Sequence, residues 1–275
     1  MTTATANIEE ILQRTSGMDI SGYDNSFICN SIQKRITETG CGSPEAYAIL
    51  VGQNPVERNQ FIGSLTIGYS EFFRNSLTFS VLENIILPML IVKQKEAKRQ
   101  EIRLWSAACA SGQEPYSMAI LCEELKSGQA EKFNYRIFAS DQTESRVIDA
   151  KLGHYTYDEI SNLSLKRVAR WFTRDGSGYH ITKHLKNNID FSVFDLFSES
   201  QVSPPASIFG DFDLVLCANI LFYYKPGYRK KILDKVSQCL TRGGFLVTGE
   251  TEREIVSALG YREVFPRSAI FQLKP

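Results

Sequence analysis

The chain of 275 residues is 43% hydrophobic and 23% charged, which suits an ordinary packed core and excludes a disordered or fibrous protein. Its 31 basic and 31 acidic residues cancel, so no overall field draws nucleic acid. Six scattered cysteines without a Cys-x-x-Cys, and three histidines of which only His180 and His184 are near each other, point to buried free thiols and no metal site.

Met1–Asn7 is polar, with no leader-like apolar core. The longest apolar run, about Ile85–Val92, contains Pro88 and is too short to cross a bilayer, so a cytoplasmic protein without membrane insertion is expected. Short helices open the chain at Ile8–Gln13 and Ser26–Thr39. The second lines up Phe27, Ile28, Ile32 and Ile36 and ends at Gly40. Ser43-Pro44 and Asn54-Pro55 each place an N-cap residue before a proline suited to the first turn, opening helices at about Ala46–Val51 and Val56–Leu65. Residues 1–75 therefore read as a small all-helical domain. Lys34 and Arg35 fall away from the apolar stripe, on a face that is either simply solvated or a docking surface for an acidic partner. Thr66–Asn75 joins this part to the next, and Leu77–Lys98 reads as a linker helix broken or kinked near Pro88.

From Glu101 the pattern alternates strand and helix, the signature of a parallel sheet. Strands are predicted at Glu101–Trp105, Tyr135–Ser140, Ile189–Val193, Phe212–Cys217 and Phe245–Thr248. Helices are predicted at Pro115–Leu125, Glu144–Leu152 and Pro226–Leu240, the last ended by Gly243-Gly244. Tyr261–Leu273 reads as an antiparallel edge pair. Residues 153–190 break the alternation, with a helical Leu163–Phe172 and a turn at Asp175–Gly178, and read as an insertion on the rim. The class is α/β, with residues 76–275 forming a Rossmann-like domain.

The turn after the first strand, Ser106–Glu114, carries small residues where a dinucleotide fingerprint would carry glycines: Ala108, Ala110 and Gly112. Glu114 at its mouth would repel a pyrophosphate but could hold an ammonium group. A cofactor with an amino-acid end and a nucleoside end fits, and S-adenosylmethionine is such a cofactor. The same turn without a ligand would leave Glu114 merely favouring the helix N-terminus. Residues just beyond four strands give a separate test, since ligands of open α/β sheets bind beyond the carboxyl ends of the strands. They are Glu114, Asp141, Asp195 and Asn219. Asp141 could accept both hydroxyls of a ribose. Asp195 could accept from an adenine amino group while the Leu196 N–H donates to the ring. Each alone is also an ordinary cap or loop residue; the four together favour a nucleoside site.

Phe72-Phe73-Arg74, Trp105-Ser106-Ala107-Ala108 with Gly112–Ser117, Ala139-Ser140-Asp141 and Cys217–Tyr223 together resemble the chemotaxis receptor glutamate methyltransferases (CheR), in order and spacing. The resemblance covers nearly the whole chain. It implies that Ser70 and Arg74 meet the cofactor's amino-acid end, with Arg74 pairing its carboxylate. It also implies Glu114 at the ammonium, Asp141 at the ribose, Asp195 and Leu196 at the adenine, Asn219 and Ile220 lining the pocket, and Tyr223 near the transferred methyl. Three departures stand out: Gly68 where the family often has Asn, Ser70 for Thr, and Asp195 for Asn. Gly68 leaves one expected polar contact without a side chain.

A glutamate acceptor, with a pKa of about 4.3, is already ionised at neutral pH and needs no general base. Alignment of carboxylate oxygen, methyl carbon and sulfur, with water excluded, suffices, and Tyr223 could orient the carboxylate or wall the pocket. The expected activity is methylation of glutamates on chemoreceptor cytoplasmic helices by a monomer. Lys34 and Arg35 are the candidate receptor contacts and S-adenosylhomocysteine the product. The rivals are a non-catalytic module that binds the cofactor, and a methyltransferase with another substrate.

Overall fold

The computed structural model describes residues 3–65, 68–128, 133–176, 178–207 and 210–273. Thr66 and Ile67 of the joining segment, and Ser177 of the predicted Asp175–Gly178 turn, lie outside them. The chain forms two compact units: Met1–Ile67 with Ile220–Lys230, and Gly68–Asn219 with Lys231–Pro275.

The first unit holds α1 (Thr3–Ser16), α2 (Asn25–Thr39), α3 (Pro44–Gln53) and α4 (Pro55–Leu65). Ala4, Ile8 and Leu12 recur every fourth residue of α1 and are buried, as are Ile28, Ile32 and Ile36 of α2. Each of the isoleucine and leucine side chains contributes about 1.5–3 kcal/mol by leaving water. The caps read from the sequence are in place: the Ser43 hydroxyl accepts the Ala46 N–H at 3.2 Å, Asn54 Oδ1 accepts the Val56 N–H at 2.9 Å, and Gly40 ends α2 at φ 72°. Ile220–Lys230 packs here through rings. Tyr224 stacks on Tyr23 with centroids 4.9 Å apart, and Tyr223 meets Phe27 edge-on at 4.7 Å.

The second unit is built on a seven-stranded sheet of order β6-β2-β1-β7-β8-β10-β9. Its strands are β1 (Ile102–Ser106), β2 (Tyr135–Asp141), β6 (Ile189–Val193), β7 (Phe212–Leu216), β8 (Leu240–Val247), β9 (Tyr261–Glu263) and β10 (Ile270–Leu273). The first five run parallel, and β10 and β9 add antiparallel at one edge. Helices α7 (Gln113–Gly128), α8 (Glu144–Leu152), α12 (Pro226–Gln238) and α13 (Arg253–Ala258) connect strands. The insertion forms its own antiparallel sheet of order β3-β5-β4, from β3 (His154–Tyr155), β4 (Phe172–Asp175) and β5 (Gly178–Ile181), with short helices α9 (Tyr157–Ile160), α10 (Leu165–Trp171) and α11 (Lys183–Lys186).

One expectation is corrected and another narrowed. The helix from Pro226 stops at Gln238, and β8 already begins at Leu240. Gly243, at φ 70°, lies where the β7–β8 register shifts, so the glycine pair bulges a strand instead of ending a helix. Of the two alternatives expected near Pro88, a break or a kink, the break is absent. Helix α5 (Ser76–Val81) passes through a π-turn at Leu82–Ile86 into α6 (Leu87–Glu96), where the Leu87 N–H reaches the Leu82 carbonyl. Such local widening lets a helix continue past a proline that has no N–H to give. The 21 continuous residues Ser76–Glu96 are then long and apolar enough to cross a membrane by length and composition, unlike the short run alone. Phe79, Leu82, Ile86, Leu87, Leu90 and Ile91 place that apolar character in the core.

Candidate cofactor site

Strand pairing decides where the candidate residues go. Ser106 lies opposite Ala139 and Leu216, Asp141 opposite Val193, and Leu216 opposite Val247. The segments that follow β1, β2, β6, β7 and β8 therefore leave the sheet at one edge, where α/β proteins bind ligands.

The turn from β1 to α7 is shaped by two left-handed residues, Ala110 (φ 46°) and Gly112 (φ 95°). A Cβ on Gly112 would lie 3.0 Å from the Tyr155 hydroxyl and 3.1 Å from Ala150 Cβ, so both conformation and space require glycine. Ala110 carries strain of about 1 kcal/mol in this region, and Asp141 holds it there: Oδ2 accepts the Ala110 N–H at 3.0 Å while Oδ1 accepts the Thr143 N–H at 2.9 Å. The Thr143 side chain also hydrogen-bonds to this carboxylate, which still keeps acceptor capacity for a ribose hydroxyl. Burial raises the Asp141 pKa, opposed by the N–H donors and then by the Arg146 guanidinium.

Glu114 opens α7 and accepts the Ser106 hydroxyl at 2.6 Å. Burial pushes its pKa up to about 7, with Glu252 adding to the rise and Ser106 and Arg74 opposing it. Arg74 arrives on a strap, Gly68–Asn75, held by strained and buried neighbours. Phe72 is wholly buried. Phe73 and Asn75 have φ of 52° and 65°, and the Phe73 N–H donates to the Ser117 hydroxyl at 3.0 Å. Arg74 donates to the Tyr69 carbonyl at 3.1 Å and lies 5.2 Å over the Tyr69 ring. Ser70 sits partly buried on the same strap. The Arg74 charge acts on Glu114, and an acid with a guanidinium nearby is the pair a zwitterionic amino-acid group requires.

The other expected residues are placed as follows. Asn219 follows β7 at φ 62°, its N–H bound to Glu252 Oε2 at 2.9 Å. Leu196 is buried, but Asp195 is exposed and uses Oδ1 to accept the Phe197 N–H at 2.8 Å, which ties its own loop. Ile220 and Tyr223 belong to the helical unit, where the Tyr223 carbonyl accepts the Asp24 N–H at 2.7 Å. Lys34 and Arg35 diverge. Lys34 is 71% exposed, with only a 3.9 Å approach to Glu38. Arg35 departs from the exposed face, solvated or docking, expected of both residues: its side chain is 13% exposed and binds Glu38, Glu57 and Gln60 at 2.5 Å.

Three residues escaped the sequence reading. Glu252 is fully buried and accepts the N–H groups of Asn219 and of Gly249, the latter at 2.7 Å. Applying the strand-end rule to the fifth parallel strand would have found it. Ser106 ends β1, and nothing in the sequence beyond its motif marks it out. Arg146, on α8, had no signal.

The all-alpha domain description of the CheR methyltransferases matches residues 5–66, and their SAM-binding domain description matches residues 69–263. Chemotaxis protein methyltransferase 1 of Pseudomonas aeruginosa is 30% identical over 261 residues, covering 92% of each chain. A chemotaxis protein methyltransferase of Listeria monocytogenes is 28% identical over 243 residues, 88% of this chain and 87% of the relative. An acid for an ammonium, a guanidinium for a carboxylate and an acid with lone pairs for a ribose fit S-adenosylmethionine, and the chain belongs to the CheR methyltransferase family, S-adenosylmethionine-dependent enzymes with a helical N-terminal domain and a Rossmann-like sheet.

Proposed function

We propose that the chain transfers the cofactor's methyl group to glutamate side chains on the cytoplasmic helices of chemoreceptors, giving glutamate methyl esters. The named relatives are chemotaxis methyltransferases, which supports the pathway. The observation that carries the acceptor is the make-up of the site. Glu114 and Asp141 are already held by hydroxyl and N–H donors, and the three histidines, His154, His180 and His184, lie on β3, β5 and α11 of the insertion. In this reading Glu114, with its pKa near 7, and Asp141 are both taken up by the cofactor and are not assigned as bases; an acceptor ionised at a pKa of about 4.3 needs none, whereas a lysine amine at about 10.4 would.

Bound S-adenosylmethionine supplies an electrophilic methyl carbon on a cationic sulfur. Arg74 and Ser70 take its carboxylate end, Glu114 its ammonium, Asp141 its ribose, and Asp195 with Leu196 its adenine. Asn219 and Ile220 line the pocket, Tyr223 orients the acceptor, and Lys34 meets an acidic receptor surface. The test is transfer of labelled methyl to a receptor cytoplasmic fragment, followed by mild alkali. Label released as methanol is the expected result, because esters hydrolyse. Alkali-stable label, or none, overturns the proposal.

A further inference from the structure

Gly68 stands where the resemblance leads one to expect a polar side chain, and the space beside it is not empty. A Cβ built on Gly68 would collide with the Arg146 guanidinium, 2.5 Å from its Cζ. Arg146 Nη1 also donates to the Ser111 hydroxyl at 3.1 Å, in the turn after β1, and its charge acts on Asp141. One guanidinium therefore lies against the strap that carries Arg74, is hydrogen-bonded to the turn that carries Glu114, and acts through its charge on the end of β2. Its location is unfavourable for the helix itself: Arg146 lies in the first turn of α8, where the macrodipole disfavours a cation. A locally unfavourable charge that joins three elements around one site marks a residue kept for the site.

We propose that Arg146 is a positioning residue of the cofactor site and that Gly68 is the residue that admits it. The guanidinium replaces, from α8, the polar group that the strap lacks, and it fixes strap and turn around the S-adenosyl group. This rests on the cofactor lying against Glu114 and Asp141.

The test is calorimetric titration of S-adenosylhomocysteine into the full chain and its variants, with thermal midpoints of the ligand-free proteins beside it. Arg146→Ala should weaken binding about tenfold, the effect of losing a charged hydrogen-bonding group. Gly68→Ala should do the same while keeping the arginine, because its Cβ expels the guanidinium, so it carries the test if Arg146→Ala fails to fold. Arg146→Lys should recover part of the affinity. Gly68→Asn combined with Arg146→Ala should recover more than Arg146→Ala alone, because the strap then supplies its own polar group. Affinity within twofold of the parent in either Gly68→Ala or Arg146→Ala overturns the proposal, as does a lowered midpoint with unchanged affinity. Asp141→Ala separates the premises: if it weakens binding while Arg146→Ala does not, only the Arg146 assignment falls. If neither does, the placement of the cofactor falls with it.

Discussion

Glu114 is the side chain whose environment makes the strongest statement about binding. Burial holds its carboxyl at a pKa of about 7, against an ordinary 4.5, with the Glu252 carboxylate adding to the rise. An acid whose pKa is raised on folding contributes stability at low pH and loses it as pH climbs from about 4.5 through about 7. The ligand-free protein is therefore strained by this group above neutrality, and in the proposed binding mode the cofactor's ammonium would relieve it. Only the ionised form can pair with that ammonium. S-adenosylhomocysteine affinity should consequently fall about tenfold per pH unit below 7, as one proton competes for the site. Glu114→Gln should bind more weakly at pH 8 and lose this dependence, which calorimetry at several pH values measures. A variant as pH-sensitive as the parent would place the titrating group elsewhere.

Between helices, the network of Arg35, Glu57 and Tyr47 explains why neighbouring basic residues on α2 behave differently. Glu57 of α4 is buried and receives Arg35 of α2 and the Tyr47 hydroxyl of α3, the latter at 2.7 Å. Arg35→Ala should cost about 3 kcal/mol, because a buried carboxylate is left unpaired. The pair Arg35→Met with Glu57→Leu should cost much less, and denaturant unfolding distinguishes the two. Lys34→Glu, one residue away, should leave stability unchanged and S-adenosylhomocysteine binding intact while weakening receptor methylation. Intact methylation would remove Lys34 from the proposed docking surface. The apolar stripes of α1 and α2 were legible because helical spacing is local. The fate of Arg35 was not, because the buried carboxylate that draws it in, Glu57, lies 22 residues further along the chain. The β8 glycines misled for a related reason: Gly243 in a bulge and glycine after a helix are the same letter, separated only by which strand lies alongside.

At the scale of the molecule, what was legible is what sequence order dictates. Strands followed by helices give a parallel sheet, and polar residues after strands reach one edge whichever strands are neighbours. Glu114, Asp141 and Asn219 could be read for that reason. Arg146 could not, since its contacts depend on segments far apart in the chain, Gly68 and Ser111. The path of Ile220–Lys230 is the largest such feature. It leaves the sheet after β7, groups with the helical unit, and returns at Lys231. Within that unit its Lys225 N–H binds the Gly22 carbonyl at 2.9 Å and Tyr224 is 6% exposed against Tyr23. The N-terminal helices are thus completed by residues encoded far later in the chain. Tyr224→Ala should remove about 3 kcal/mol of packing, as loss of a large buried aromatic does. The loss should surface among the neighbours of Tyr224 in space, not in sequence: amide exchange should accelerate in α2, Asn25–Thr39, more than in β1 or β2. Acceleration confined to α12, with α2 protected as in the parent, would mean that the segment is a passenger on the helices and not part of their core.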